Sequence, residues 1–232
     1  MSEVYLIPTT LSDDALHTIP TYVLSCIKKC QVLFVENERT TRRFMKALDR
    51  DIVIEDYEWH NIHKKEESQK QTLTDALKHG KTIGIISEAG CPGIADPGQA
   101  LVEKAHELNA KVIPLVGPSS ILLALMASGL DGQRFEFMGY LPIENAAQAK
   151  VIMDAEIESR KKNCTKIFIE TPYRNAKLLD TLLQHLQSHT KLCVAMDITG
   201  AGELIRTKTV HEWKKNKPVL GKFPAIFLFK AS

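Results

Sequence analysis

Four short segments of this chain carry residue types at spacings that can do chemistry. The richest runs Ser87-Glu-Ala-Gly-Cys-Pro-Gly-Ile-Ala-Asp-Pro-Gly98. Its three Gly and two Pro in twelve residues exclude helix or strand interior and describe a long bent turn. Glycines let a ligand approach the main chain and bond its N–H and C=O groups. Around Gly90, Cys91, Pro92 and Gly93 that reading competes with a plain strand-to-helix crossover, which seldom runs so long. Cys91 has no base placed beside it, so its nucleophilic reading is weak on sequence alone.

Residues 36–43 bring together Glu36, Glu38, two threonines, Arg39 and two further arginines. Such an Arg can grip phosphate or carboxylate, and a charge-rich helix start is the bland alternative. Val116-Gly-Pro-Ser-Ser120 is a turn that opens a helix. Ser119 or Ser120 can cap that helix, with or without a ligand at its N-terminus. Glu170-Thr-Pro-Tyr-Arg174 places an acid at a strand end and an Arg at a helix start. The acid can orient a substrate, act as a base, or merely cap the next helix. Trp59-His-Asn-Ile-His63 reads as a mobile substrate-side loop, with ordinary surface as the alternative. Two His at that spacing without a third ligand predict no metal site, nor do Cys26 and Cys30, which read as packing. The pairs Arg42-Arg43, Lys64-Lys65, Arg160-Lys-Lys162 and Lys214-Lys215 can meet RNA phosphates or be plain solvated charge.

The elements that must hold these segments are legible in the apolar pattern. Strands are predicted at 4–7, 31–35, 52–54, 82–86 and 111–116, with helices at 19–29, 40–48, 69–79 and 99–108 between them. Strands alternating with helices imply a mostly parallel sheet, whose ligands sit at the carboxyl ends of the strands. All four segments follow a predicted strand, so they can converge on one composite site. Past Gly117 the pattern becomes helix 119–128, strand 135–141, helix 145–160, strand 166–169, helix 175–187, strand 192–196 and two last strands at 207–210 and 225–229. This half is richer in strands able to pair antiparallel. The expected fold class is therefore α/β in two lobes, residues 1–116 and 117–232, with a mostly parallel and a mixed sheet and the ligand cleft between them.

The 232 residues suffice for two cores, and 44% hydrophobic with 25% charged residues is ordinary for a soluble globular chain. A net charge of +2 gives no global field that would itself imply nucleic acid. Five cysteines without a C-x-x-C motif read as reduced thiols of a cytoplasmic protein. The N-terminus lacks a basic n-region, and no apolar run reaches the length of a membrane span.

Taken together and in order, the segments resemble the tetrapyrrole methylase superfamily, the class III S-adenosylmethionine-dependent methyltransferases. The likeness is strongest to the branch that methylates a cytidine ribose 2'-hydroxyl in bacterial small-subunit ribosomal RNA. That branch shows A-E-D-T-R-x-T where Val35 to Thr41 stand, S-D-A-G-T-P-x-I-S-D-P-G where Ser87 to Gly98 stand, and P-G-P-S-A at residues 116–120. Its A-S-G-L, F-x-G-F-L-P and E-S-P-H-R match Ala127 to Leu130, Phe137 to Pro142 and Glu170 to Arg174. The resemblance implies S-adenosylmethionine as methyl donor, contacted by Gly90, Cys91, Pro92, Ile94, Ser119 and Ser120, with Glu170, Thr171 and Ala195 towards its adenosine side. Glu36, Glu38, Arg39 and Glu170 are the catalytic candidates on the acceptor side. The acceptor implied is ribosomal RNA, with a tetrapyrrole or other small molecule as the alternative, and a donor-binding regulatory module as the reading from another class. A homodimer is expected, since members of this superfamily usually pair. Three departures stand out: the Gly-containing P-I-G-N-L-x-D-I-T stretch is here Thr9 to Ala15 without glycine, Glu88 replaces an Asp, and Asp197 to Glu203 replaces E-L-T-K-x-x-E.

Overall fold

The computed structural model describes residues 2–63 and 66–231, apart from the side chains of Glu66 and Glu67. The chain divides into two compact units, Met1–Ser119 and Ser120–Ser232. No helix among the described residues is long and apolar enough to cross a membrane.

The first unit contains β1 (Glu3–Ile7), α1 (Tyr22–Ile27), β2 (Val32–Val35), α2 (Glu38–Leu48), β3 (Glu58–Asn61), α3 (Glu66–Lys78), β4 (Ile83–Ile86), α4 (Gln99–Glu107) and β5 (Lys111–Pro114). Its strands pair in the order β3-β2-β4-β1-β5, all parallel. Val32 to Val35 and Ile83 to Ile86 are buried along their whole length, as expected of central strands covered on both faces. Successive residues point to opposite faces. Ile7, Leu33, Val35 and Ile86 enter one core with α1, while Val4, Val32, Phe34, Ile83 and Ile85 enter another with α3 and α4. From β1 the chain crosses to β2 on one side, and from β4 to β5 on the other. Opposite departures open a crevice at the carboxyl ends of these two central strands.

The second unit contains α5 (Ser120–Ser128), β6 (Phe135–Tyr140), α6 (Asn145–Lys162), β7 (Thr165–Glu170), α7 (Asn175–His185), β8 (Lys191–Met196), β9 (Leu204–Thr209), α8 (Val210–Lys215) and β10 (Ala225–Lys230). Its order is β6-β7-β10-β8-β9, parallel between β6 and β7 and antiparallel elsewhere. The parallel first sheet and mixed second sheet are those expected from the sequence.

Three local readings need correction. Ile52 to Ile54 is not a strand: Ile52 and Ile54 turn into the core, and Ile54–Asp56 forms a single 3-10 turn. The strand comes next, at Glu58–Asn61, overlapping the Trp59 to His63 segment read as a mobile loop. Trp59 donates its ring N–H to the Ile54 carbonyl, and His60 stacks on Phe34 with ring centres 5.2 Å apart, which hold this edge strand in register with β2. Thr209 leaves β9 to cap α8, forming a reciprocal capping box with Glu212, so Val210 is helical.

The second unit is tied across its layers by Glu156, which is buried on α6. Its carboxylate accepts from the Gln187 N–H at 2.9 Å and from the Thr190 hydroxyl, holding the α7–β8 connection. E156A leaves the buried Thr190 hydroxyl and the partly covered Gln187 N–H unpaired, and we expect it to cost about 1–3 kcal/mol in urea unfolding. E156Q keeps an acceptor there and should cost clearly less; equal losses for both variants would rule out this role.

Candidate functional site

Thr9, two residues past β1, pairs with Gly90 in the loop after β4. The Thr9 N–H donates to the Gly90 carbonyl at 2.9 Å and the Gly90 N–H returns to the Thr9 carbonyl at 3.3 Å. The Thr9 hydroxyl donates to the Ser87 carbonyl, and the Ser87 hydroxyl to the Gly90 carbonyl. Gly90 adopts φ +76°, the left-handed region open to glycine at little cost. These bonds bend the 87–98 loop back over the strand ends.

The third segment closes against the same loop. Gly117 packs so tightly on Pro8 that a Cβ there would lie 2.2 Å from the Pro8 Cβ. The turn's carbonyls at Gly117 and Pro118 face the Cys91 thiol, at 3.9 and 3.5 Å. Burial, with the Asp96 charge second, pushes that thiol above its ordinary pKa. A protonated thiol donating to carbonyls is a packing group, not a nucleophile. Gly93, also at positive φ, has open space where a Cβ would stand, and Ile94 beside it is exposed. Pro92, between Cys91 and Gly93, is partly buried. Ser119 immediately precedes α5, and Ser120 is its first residue.

Beside the loop lies a cleft of about 410 Å³ within the first unit. Its walls come from Thr9 to Asp13 on one side, Thr40, Arg43 and Phe44 of α2 on another, and Ser87 to Ala89 on the third. The stretch that departs from the family pattern is therefore a wall of this cleft. Asn37 starts α2 by accepting from the Arg39 and Thr40 N–H groups, so the helix presents its first turn there. Glu38 pairs with Arg42 at 3.1 Å, one turn on. Arg39 is exposed. Arg42 also lies over the Trp59 ring, 5.0 Å from its centre. Lys64 and Lys65 lie outside the described residues.

Glu36 and Glu88 meet across the ends of β2 and β4, where a Glu36 carboxylate oxygen accepts the Glu88 N–H at 2.9 Å. Burial raises the Glu36 carboxyl above the ordinary range, partly offset by that bond. Asp96, further along the loop, is pushed from 3.8 to about 6 by burial and then by the charges of Glu36 and Glu88. A carboxylate tuned towards neutrality can take a proton from a weakly acidic hydroxyl. The glycines of the loop do not point to Asp96; its acid, set between Ala and Pro within the bend, is the available sequence signal.

In the second unit, Glu170 is buried at the end of β7, and one of its oxygens accepts from the Thr171 N–H at 2.7 Å and the Arg174 Nε at 2.9 Å. A second Arg174 nitrogen lies 2.7 Å from the same oxygen. That geometry fixes the Thr171–Arg174 turn. Ala195 is buried in β8, paired with Ile226 and Ile205.

Two outcomes check this geometry. Asp96 keeps its proton up to about pH 6 in the fold and loses it near 3.8 when unfolded, so the folded chain binds more protons in that window and stability falls as pH rises through it. D96N should remove this loss and gain roughly 1 kcal/mol over the parent near pH 7–8, water screening the half-exposed group, with no gain near pH 4. Parallel pH profiles of thermal unfolding for the two proteins would refute it. G117A should lose about 1–3 kcal/mol by overpacking against the rigid Pro8 ring. G132A, with open space around its Cβ, should unfold at the same urea concentration as the parent.

Residues 4–213 match the family model for Tetrapyrrole (Corrin/Porphyrin) Methylases. Among curated relatives, a Ribosomal RNA small subunit methyltransferase I from Vibrio cholerae is 32% identical over 90% of this chain and 69% of its own length. The enzyme of the same name from Halalkalibacterium halodurans is 30% identical over 95% of this chain and 73% of its own. Among solved structures, the methyltransferase CobJ shares the fold with a TM-score of 0.66 at 13% identity, covering 100% of this chain and 95% of its own. A uroporphyrin-III-C-methyltransferase from Thermus thermophilus gives 0.58 at 16% identity, covering 99% and 92%. The chain belongs to the tetrapyrrole (corrin/porphyrin) methylase family and is a methyltransferase.

Proposed function

We propose that this protein transfers the methyl group of S-adenosylmethionine to a ribose 2'-hydroxyl of ribosomal RNA. The observation that carries the reading is the match, over nine-tenths of the chain, to relatives named for small-subunit ribosomal RNA. The donor supplies a methyl already activated on a sulfonium, so the protein has mainly to position the reactants. The residues present suit such a cation. Glu36, Glu88 and Asp96 place three carboxyl groups near the loop, and Gly93 leaves room at its backbone. In the first unit Gly90, Cys91, Pro92, Ile94 and Ser119 would hold the donor. In the second, Ser120 and Thr171 would do so, with Ala195 in the strand that supports them.

On the acceptor side, Asp96 and Glu36 are the groups whose surroundings raise their proton affinity. Asp96 is the base we assign to the 2'-hydroxyl, and Glu36 the group that positions the loop through Glu88. Glu38 and Arg39 present the first turn of α2 to the acceptor, and Glu170 holds the Thr171 turn. A homodimer in the cytoplasm completes the proposal, by resemblance to the family.

The test couples two measurements. Titration with S-adenosylhomocysteine should show saturable binding. Incubation with methyl-labelled donor and unmodified small-subunit RNA, digested to nucleosides, should put label in a 2'-O-methyl nucleoside. D96N should cut that rate at least about tenfold while leaving product binding in place. Label found only in small molecules, or none despite donor binding, would refute the RNA assignment.

A further inference from the structure

We propose that the second unit carries a nucleobase-stacking platform, Tyr173, flanked by a strip of lysines that meets single-stranded RNA. This rests on the RNA reading above and extends it to the outward side chain of the Thr171–Arg174 turn, which that reading gave no role. Tyr173 is 83% exposed, although it sits in a turn held rigid by Glu170 and by the Arg174 N–H to Thr171 carbonyl bond. A large ring turned outward on a turn pinned by a partly buried ion pair is pre-ordered for contact. Lys222 lies over the ring, 5.8 Å from its centre.

Two anchors lay residues 217–223 along α7. Lys217 pairs with Asp180 in the middle of the helix, and Asn175 at its start donates to the Phe223 carbonyl at 2.7 Å. The segment therefore runs antiparallel to the helix and delivers Lys222 and the half-exposed Phe223 beside Tyr173. Lys177 is exposed one turn from Arg174, and Lys214 and Lys215 end α8, which packs on α7. The acids nearby are engaged: Glu170 with Arg174, Asp180 with Lys217, Glu212 in the α8 cap, and Glu203 on the Thr199 N–H. Lys222 over the ring, with Lys177 exposed in the first turn of α7, thus sets positive charge beside an exposed aromatic ring.

That combination suits RNA. Every base has a face that stacks on an aromatic ring, and the lysines match the phosphates on either side. An apolar partner would be met by an uncharged rim, which this surface lacks. One Tyr face carries Lys222, and the opposite face is the one assigned to the base.

The check is fluorescence anisotropy of a fluorescein-labelled single-stranded oligoribonucleotide with the full chain. Y173A should weaken binding about fivefold or more, and Y173F should stay within about twofold, because the ring is kept. K177Q and K222Q should each weaken binding and lower the salt dependence by about one unit of slope. All three positions are exposed, and urea unfolding of each variant reports folding. Parent-like RNA affinity in Y173A and K222Q overturns the platform while leaving the RNA reading intact. A parent protein that binds donor but no RNA overturns both. Loss of poly-glutamate binding that equals the loss of RNA binding, with Y173A without effect, overturns it in favour of an acidic protein partner.

Discussion

The crevice between β1 and β4 exists because the chain leaves these neighbouring parallel strands in opposite directions, and the two-way bond between Thr9 and Gly90 spans it. That bond requires glycine at a left-handed backbone position and brings the loop after β4 against the segment after β1. The other site features follow from it. With the loop bent back, Cys91 reaches the carbonyls of the Gly117–Pro118 turn, and Glu88 delivers its N–H to Glu36. Asp96 is carried into the field of two other carboxylates.

Electrostatics set this loop apart from ordinary crossover turns. Several surface carboxylates of the chain are lowered by a lysine or a backbone donor, as Glu58, Glu107 and Glu212 are. Glu36 and Asp96 go the other way, chiefly through burial. Holding such groups in the folded state costs stability at neutral pH, a pattern expected where function opposes stability.

The sheets were readable because β2, β4, β7, β8 and β10 are nearly continuous runs of Val, Ile, Leu and Phe, which mark buried strands whatever surrounds them. The edge strand β3 was not, because Glu58-Trp-His-Asn61 carries polar side chains and depends on pairing with β2 and on stacking against Phe34. Ile52 and Ile54 misled for the opposite reason: two β-branched residues serve the core through a turn. At the site, the loops were legible from glycine, proline and ordered motifs. The grouping of Glu36, Glu88 and Asp96 was not, since residues up to sixty positions apart meet only through the strand order. The role of Glu170 also needed geometry, because a strand-end acid can face a ligand or its own turn, and here one oxygen takes its turn's donors.

The cleft wall from Thr10 to Asp13 hangs from the scaffold through Thr9, whose backbone and hydroxyl make the ties to the β4 loop. Its side chains line a cavity without filling a core, so their replacement leaves the strands beneath undisturbed. Evolutionary drift is inexpensive at such a place. A lineage can rewrite these four residues while inheriting the sheet, the bent loop and its acids unchanged, which makes this stretch the place where one scaffold can reshape its cleft at least cost to its fold.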